Sequence, residues 1–173
     1  MSRQVHLTGV EKTFSPSEII VSKTDRTGRI IYANEVFCRI ASYSEAELIG
    51  KPHNIIRHPA MPRCVFKLLW DTIFRGEECF AYVLNRSKNG DHYWVLAHIT
   101  PTFDDNGKII SFHSSRRSPR RDAIDKATAL YAELLAIEKQ DNSSDAGMNR
   151  AFSALVDKLK SLGLTYDEFV FSL

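Results

Sequence analysis

No apolar run in this chain approaches the roughly 20 residues of a membrane-spanning helix. Met1-Ser2-Arg3-Gln4 leads into no signal-peptide core, so the expected location is cytoplasmic, with no direct membrane insertion. Cysteine is scarce: Cys38, Cys64 and Cys79 are an odd number without a Cys-x-x-Cys pair. That argues against a disulfide framework and a structural zinc. Charge of one sign is also lacking, since a formal net charge of +2 calls for no nucleic-acid partner. There is no Gly-x-Ser-x-Gly elbow, no phosphate-cradling Gly-rich loop and no His-Glu-x-x-His, so an enzyme is not expected. Asp104-Asp105 sits beside Asn106-Gly107 and reads as a turn rather than an acid/base pair.

The 173 residues suit one domain plus an appendage and are enough to bury a core. Residues 1–16 read as a polar N-terminal arm. Ile19–Ser22 and Arg29–Ala33 are β-branched runs about an Asp25–Gly28 turn, a hairpin. Asn34 is an N-cap for a helix carrying Val36, Phe37, Ile40 and Ala41. Ser44 and Glu47 form a capping box for a short helix ending at Gly50. Pro62 opens a helix that Gly76 stops. Cys79–Asn85, His92–Thr102 and Lys108–Arg116 read as strands, joined by the turns at Asn89-Gly90 and Asp104–Gly107. Short helices grouped between two sets of hairpins give an α+β domain with an antiparallel sheet.

The stretch richest in chemistry is Gly50–Pro59, which puts His53, Asn54, Arg57 and His58 between two prolines. The prolines disfavour a long helix, so an irregular turn is expected to present these side chains. A solvated loop, a metal site and the rim of a cofactor pocket all remain open at this point. Of the six histidines, His92 and His98 can share a sheet face. No matching carboxylate or thiolate spacing supports a metal.

Three pieces surround this stretch: Ile30–Phe37, Tyr43–Gly50, and Asn85–Val95 with its Asn-Gly-Asp-His-Tyr-Trp run. With His-Asn-x-x-Arg-His-Pro between them, the segment from about 14 to 118 resembles the PAS domain of bacterial aerotaxis receptors. The resemblance implies a PAS fold: a five-stranded antiparallel sheet with short helices on one face, occupying residues 17–118. It also implies non-covalent FAD, redox sensing and signalling to a downstream protein. Arg57 and His58 match family positions that contact FAD, and Asn85 matches an asparagine facing the flavin ring. The implied cofactor set is Asn34, His53, Arg57, His58, Trp70, Cys79, Asn85 and Tyr93, with no metal.

Two positions depart from the family pattern. Ala60 stands where members usually carry aspartate, and Cys79 where they usually carry tryptophan. A shifted flavin pose, weaker binding, another ligand or none stay open. A cofactor-free interaction or dimerisation module is the alternative, followed by a haem sensor using His53 or His58. Blue-light adduct chemistry at Cys79 lacks the Asn-Cys-Arg-Phe helix motif of light-sensing relatives.

Beyond Pro119 the pattern becomes helical. Residues 123–137 and 148–162 each present a wide apolar face, and Thr165–Glu168 has capping-box spacing. The 119–173 extension is expected to be a helical hairpin for output or dimerisation, closing on itself, on a second copy or on a partner. The basic run Arg116-Arg117-Ser118-Pro119-Arg120-Arg121 reads as a solvated strand end and linker, with phosphate or partner contact as the alternative.

Overall fold

The computed structural model describes residues 6–141 and 143–173. Residues 1–5 of the expected arm, and Asn142 in the expected break between the helices, lie outside them. Strands β1 (Ile20–Asp25) and β2 (Ile30–Ala33) are followed by α1 (Glu35–Ala41), α2 (Glu45–Leu48), a 3₁₀ turn (His53–Ile56) and α3 (Arg63–Phe74). Then come β3 (Cys79–Arg86), β4 (His92–Phe103) and β5 (Ile109–Arg117), and finally α4 (Arg121–Glu138), α5 (Ser144–Leu162) and α6 (Tyr166–Ser172). The five strands form one antiparallel sheet in the order β2-β1-β5-β4-β3. Both the α+β order and the sheet follow the sequence expectation.

Local chemistry explains the elements. The Asp25 carboxylate accepts from the Thr27 and Arg29 backbone N–H groups, closing the β1–β2 turn as an Asx-turn. Gly28 there has φ +79°, and a Cβ on it would lie 3.2 Å from the Trp70 indole. The position therefore needs glycine for conformation and for space. Asn34 caps α1 by accepting from the Phe37 N–H, and both halves of the Ser44/Glu47 capping box form at α2.

The sheet's inner face meets α1 and α3 through Phe37, Ile40, Val65, Leu69, Ile73, Tyr93 and Val95, forming the core. Even-numbered residues of β1, and of β5 from Phe112 onward, point inward, and there the pattern changes. Ser22, Thr24, Ser114 and Arg116 stand where apolar side chains would continue the core. Ser22 pairs with Ser114 in the strand register, so these polar residues form one patch.

The C-terminal segment folds onto its own chain. Helix α5 packs on α4 and also on α3, and α6 packs on β3. Tyr131 of α4 stacks on Trp94 and donates through its hydroxyl to the Tyr82 carbonyl of β3 at 2.6 Å. Phe171 of α6 packs against Phe80 of the same strand, with ring centroids 4.7 Å apart. The Tyr131 bond engages polar backbone on the edge of β3 that faces away from β4. The extension is thus the expected helical hairpin of α4 and α5, followed by the short α6 that the Thr165/Glu168 capping box opens.

Helix α5 begins at Ser144, four residues before its first expected apolar position, because the Ser143 side chain caps it. Gly147 then passes so close to α4 that a Cβ would lie 2.1 Å from the Glu138 carbonyl oxygen. Gly147→Ala gains helix propensity but must separate the two helices. A net loss of about 1–2 kcal/mol is expected in chemical denaturation, with weakened hydrogen-exchange protection confined to α4–α6. Unchanged stability would mean that the helices part there without cost.

Candidate ligand site

Between the inner sheet face, the 3₁₀ turn and α3 lies a cavity of about 410 Å³, within the range of small-molecule sites. Its middle is apolar, walled by Phe66, Leu69, Ile73, Val83, Ala97 and Ile99. Arg57, Arg63 and Lys67 line the side toward solvent, while Arg116 lies deep inside at 2% exposure. No aspartate or glutamate lines it.

Four residues expected at the cofactor share this cavity: His53, Arg57, Trp70 and Asn85. The 3₁₀ turn presents His53, whose remaining accessible surface faces the cavity. Burial, reinforced by the Arg116 charge, holds its imidazole down at about 3, so the ring is neutral. It stacks on Phe37 and lies 3.3 Å from the Ser22 hydroxyl. Arg57 follows the turn, with its guanidinium 4.3 Å from the centre of the Phe66 ring. Its backbone bridges to Asn85 on the open edge of β3. Asn85 is 4% exposed, and its amide makes no hydrogen bond to another described residue. Trp70 packs edge-on against Phe112 at 5.6 Å between centroids.

The other four do not line the cavity. Asn34 is occupied by the fold: it accepts from Val21 and Phe37 N–H groups and donates to the Ile19 carbonyl. His58 turns outward, accepting the Ala60 N–H on Nδ1 and meeting the His92 ring edge-on. Ala60 itself is exposed. Cys79 is fully buried, and burial followed by the nearby Asp167 pushes its thiol up to about 12. Tyr93 is also fully buried, and its hydroxyl has no partner.

Arg116 was not among the expected site residues, and the reading of its basic run as solvated fails at this position. Its side chain points inward because it continues the alternation from Phe112 through Ser114. Arg117, Arg120 and Arg121 are exposed, as that reading expects. Arg116 lies 4.5 Å over the Phe37 ring and donates from one terminal nitrogen to the Ser22 hydroxyl. Its Nε and other terminal nitrogen have no partner among the described residues. Burial lowers its pKa to about 10, which leaves it charged at neutral pH.

Met148 was also missed, since α5 reaches the cavity only through tertiary packing. Arg63 joins the two, donating to the Ser144 carbonyl at 2.7 Å and the Asp145 carboxylate at 3.0 Å. Glu138, at the end of α4, accepts the Cys64 N–H at the start of α3 at 2.8 Å.

Residues 30–116 match the family model described as the PAS fold. The chain belongs to the PAS family. This PAS protein is 37% identical over 136 residues to the aerotaxis receptor of Escherichia coli (strain K12), covering 79% of the chain and 27% of the receptor. Its PAS domain is of the aerotaxis-receptor type, and the chain spans about a quarter of that relative's length. The light-state structure of the blue-light photoreceptor Aureochrome1 LOV aligns with a TM-score of 0.54 at 24% identity, covering 70% of this chain and 91% of that one. A light-oxygen-voltage domain studied with a flavin analogue aligns at 0.55 with 20% identity, covering 66% and 84%. At these identities the two structures carry the fold alone.

The neutral His53 has a consequence for stability. Its folded value lies below the ordinary 6.5, so the unfolded chain binds the proton first as pH falls. Its contribution is complete above 6.5 and is lost as pH drops toward about 3. Urea unfolding of His53→Gln should therefore lose less stability across that interval, by up to about 1.4 kcal/mol per pH unit. Parallel profiles for the two proteins would show that His53 does not titrate on unfolding.

Proposed function

We propose that this PAS protein binds FAD non-covalently and signals redox or oxygen-linked electron-transport state to a partner through its C-terminal helices. One observation carries the reading: an apolar cavity lined by four cations and no carboxylate, with unused donors on Arg116 and a free amide on Asn85. A ligand that complements it has a flat or apolar body, hydrogen-bonding atoms on one edge and anionic groups toward solvent. FAD has these parts, and the aerotaxis receptor among the relatives supports the choice. FAD supplies a ring that takes up electrons and protons and returns them.

The residues divide the binding task by chemistry. Arg57, Arg63 and Lys67 suit a diphosphate near the mouth, the first two through planar forks. Phe66, Leu69, Ile73 and Trp70 exclude water from the middle. Asn85 can donate or accept, so its amide reorients when the hydrogen-bonding character of a neighbour changes.

Output follows from where Asn85 sits. Its strand carries the Tyr82 carbonyl bound by Tyr131 and the Phe80 ring packed by Phe171 of α6. A small shift of β3 therefore alters contacts to both α4 and α6, changing the population of docked helices.

The visible spectrum of the purified protein tests the cofactor: flavin bands are expected, whereas a Soret band or a flat trace would replace this reading with haem or an empty module. Arg57→Ala should weaken FAD binding about ten- to a hundredfold, the cost of losing a charged hydrogen-bonding partner. Unaltered affinity would remove Arg57 from the site. Hydrogen exchange in residues 120–162 should differ between oxidised and reduced protein, by about 1–3 kcal/mol of coupling. Identical exchange in both states would leave the helices a passive cover.

A further inference from the structure

Arg116 is a buried cation without an ionic partner. The other cations lining the cavity each have a carboxylate nearby: Asp145 for Arg63, Asp71 for Lys67 and Glu138 for Arg57. At Arg116, every facing element offers a neutral group. These are the Ser22 hydroxyl from β1, the Phe37 face from α1, the neutral His53 from the 3₁₀ turn and the Tyr93 phenol from β4. His113, next but two along β5, is the remaining titratable neighbour. A desolvated guanidinium with two unused nitrogens is costly unless something else in the cavity meets it.

We propose that Arg116 is the charge partner of the flavin's pyrimidine edge, holding the negative charge that the ring gains on reduction. This rests on the FAD reading above and adds to it a residue and an orientation. The ring's two carbonyls and the nitrogen between them and the central ring are its most acceptor-rich edge. The only fully buried side-chain donors lining the cavity that lack a partner among the described residues are those of Arg116. The mouth cations are partly solvated, and they meet the diphosphate. The ring is thus driven in pyrimidine edge first.

The electron and proton balance then changes. An external reductant such as dithionite delivers two electrons to the ring. The ring takes one proton from solvent instead of two, because Arg116, which keeps its own proton throughout, already neutralises the second site. His53 stays unprotonated over the range in which this matters, so it does not compete as the counter-charge.

Spectroelectrochemical titration of the whole chain, reconstituted with FAD and run from about pH 5 to 6.5, reads this directly. There an unassisted ring takes up two protons. One proton per two electrons is a tenfold change per pH unit, about 30 mV; two protons give a hundredfold change, about 59 mV. The natural protein should show the smaller slope. Arg116→Gln should show the larger slope and a lower midpoint potential. Arg116→Lys, which keeps the charge, should restore the smaller slope. His113 is common to all three proteins and cancels in the comparison.

A two-proton slope in the natural protein overturns the proposal while leaving FAD binding intact, as does an Arg116→Gln variant with the natural slope. If Arg116→Gln loses flavin, Arg116→Lys decides: a natural slope supports the assignment, a two-proton slope refutes it. Loss of flavin from both variants also refutes it, because Arg116 would then hold the cofactor rather than set its charge. Failure of the natural protein to take up FAD at all counts against the cofactor reading itself.

Discussion

The organising constraint in this molecule is the open edge of β3. A five-stranded sheet that stops at β3 presents unpaired backbone groups there, and an unprotected edge is a template for aggregation. The chain covers that edge in two halves. Toward Arg86 the cover is the segment after the 3₁₀ turn: Arg57 bridges Asn85, and the Met61 sulfur accepts the Leu84 N–H at 3.2 Å. Toward Cys79 it is the C-terminal wrap, through the Tyr131 bond to the Tyr82 carbonyl and the packing of α6 on β3. The strand that carries the free cavity amide is therefore held on one side by β4 and on the other by the proposed output element. The cavity wall and the cover provided by the C-terminal helices meet on the same eight residues, Cys79–Arg86.

Charge is the second theme, and it is distributed by depth. Carboxylates compensate the cations near solvent, where an exposed pair contributes little to stability but sets geometry. Inside, compensation stops, and the interior keeps Arg116 on hydroxyls and an aromatic face alone. Such an arrangement spends stability that a Leu or Val at the same position would supply, which is the usual mark of a site shaped for a ligand. The inward-facing Ser22, Thr24 and Ser114 belong to the same departure from core composition.

Much of this was legible in the sequence. Turn chemistry at Asp25–Gly28 and Asn89-Gly90, and the capping residues Asn34, Ser44 and Thr165, act locally, so they located elements without any knowledge of packing. The same is true of the proline-bounded turn that delivers His53 and Arg57 to the cavity. What escaped depends on non-local geometry. Arg116 sits in a run of charges whose obvious reading is solvent, and only strand alternation from Phe112 marks it as inward. Met148 lies about 60 residues from the nearest other wall residue except those of β4 and β5, and its arrival depends on how α5 crosses α3. Asn34 and His58 show the converse: motif positions whose side chains the local fold already employs.

The Met148 contact bears on what counts as the working unit. The family match ends at residue 116, yet part of the cavity wall and the cover of the β3 edge come from residues beyond it. A chain cut at the end of the match would carry a breached pocket and a bare strand. Helix α5 thus completes one wall of the cavity, while the side lined by Arg57, Arg63 and Lys67 stays toward solvent. Synthesis from the N-terminus makes Met148 the last wall residue to be added, so the cavity takes its final shape only after the whole sheet exists.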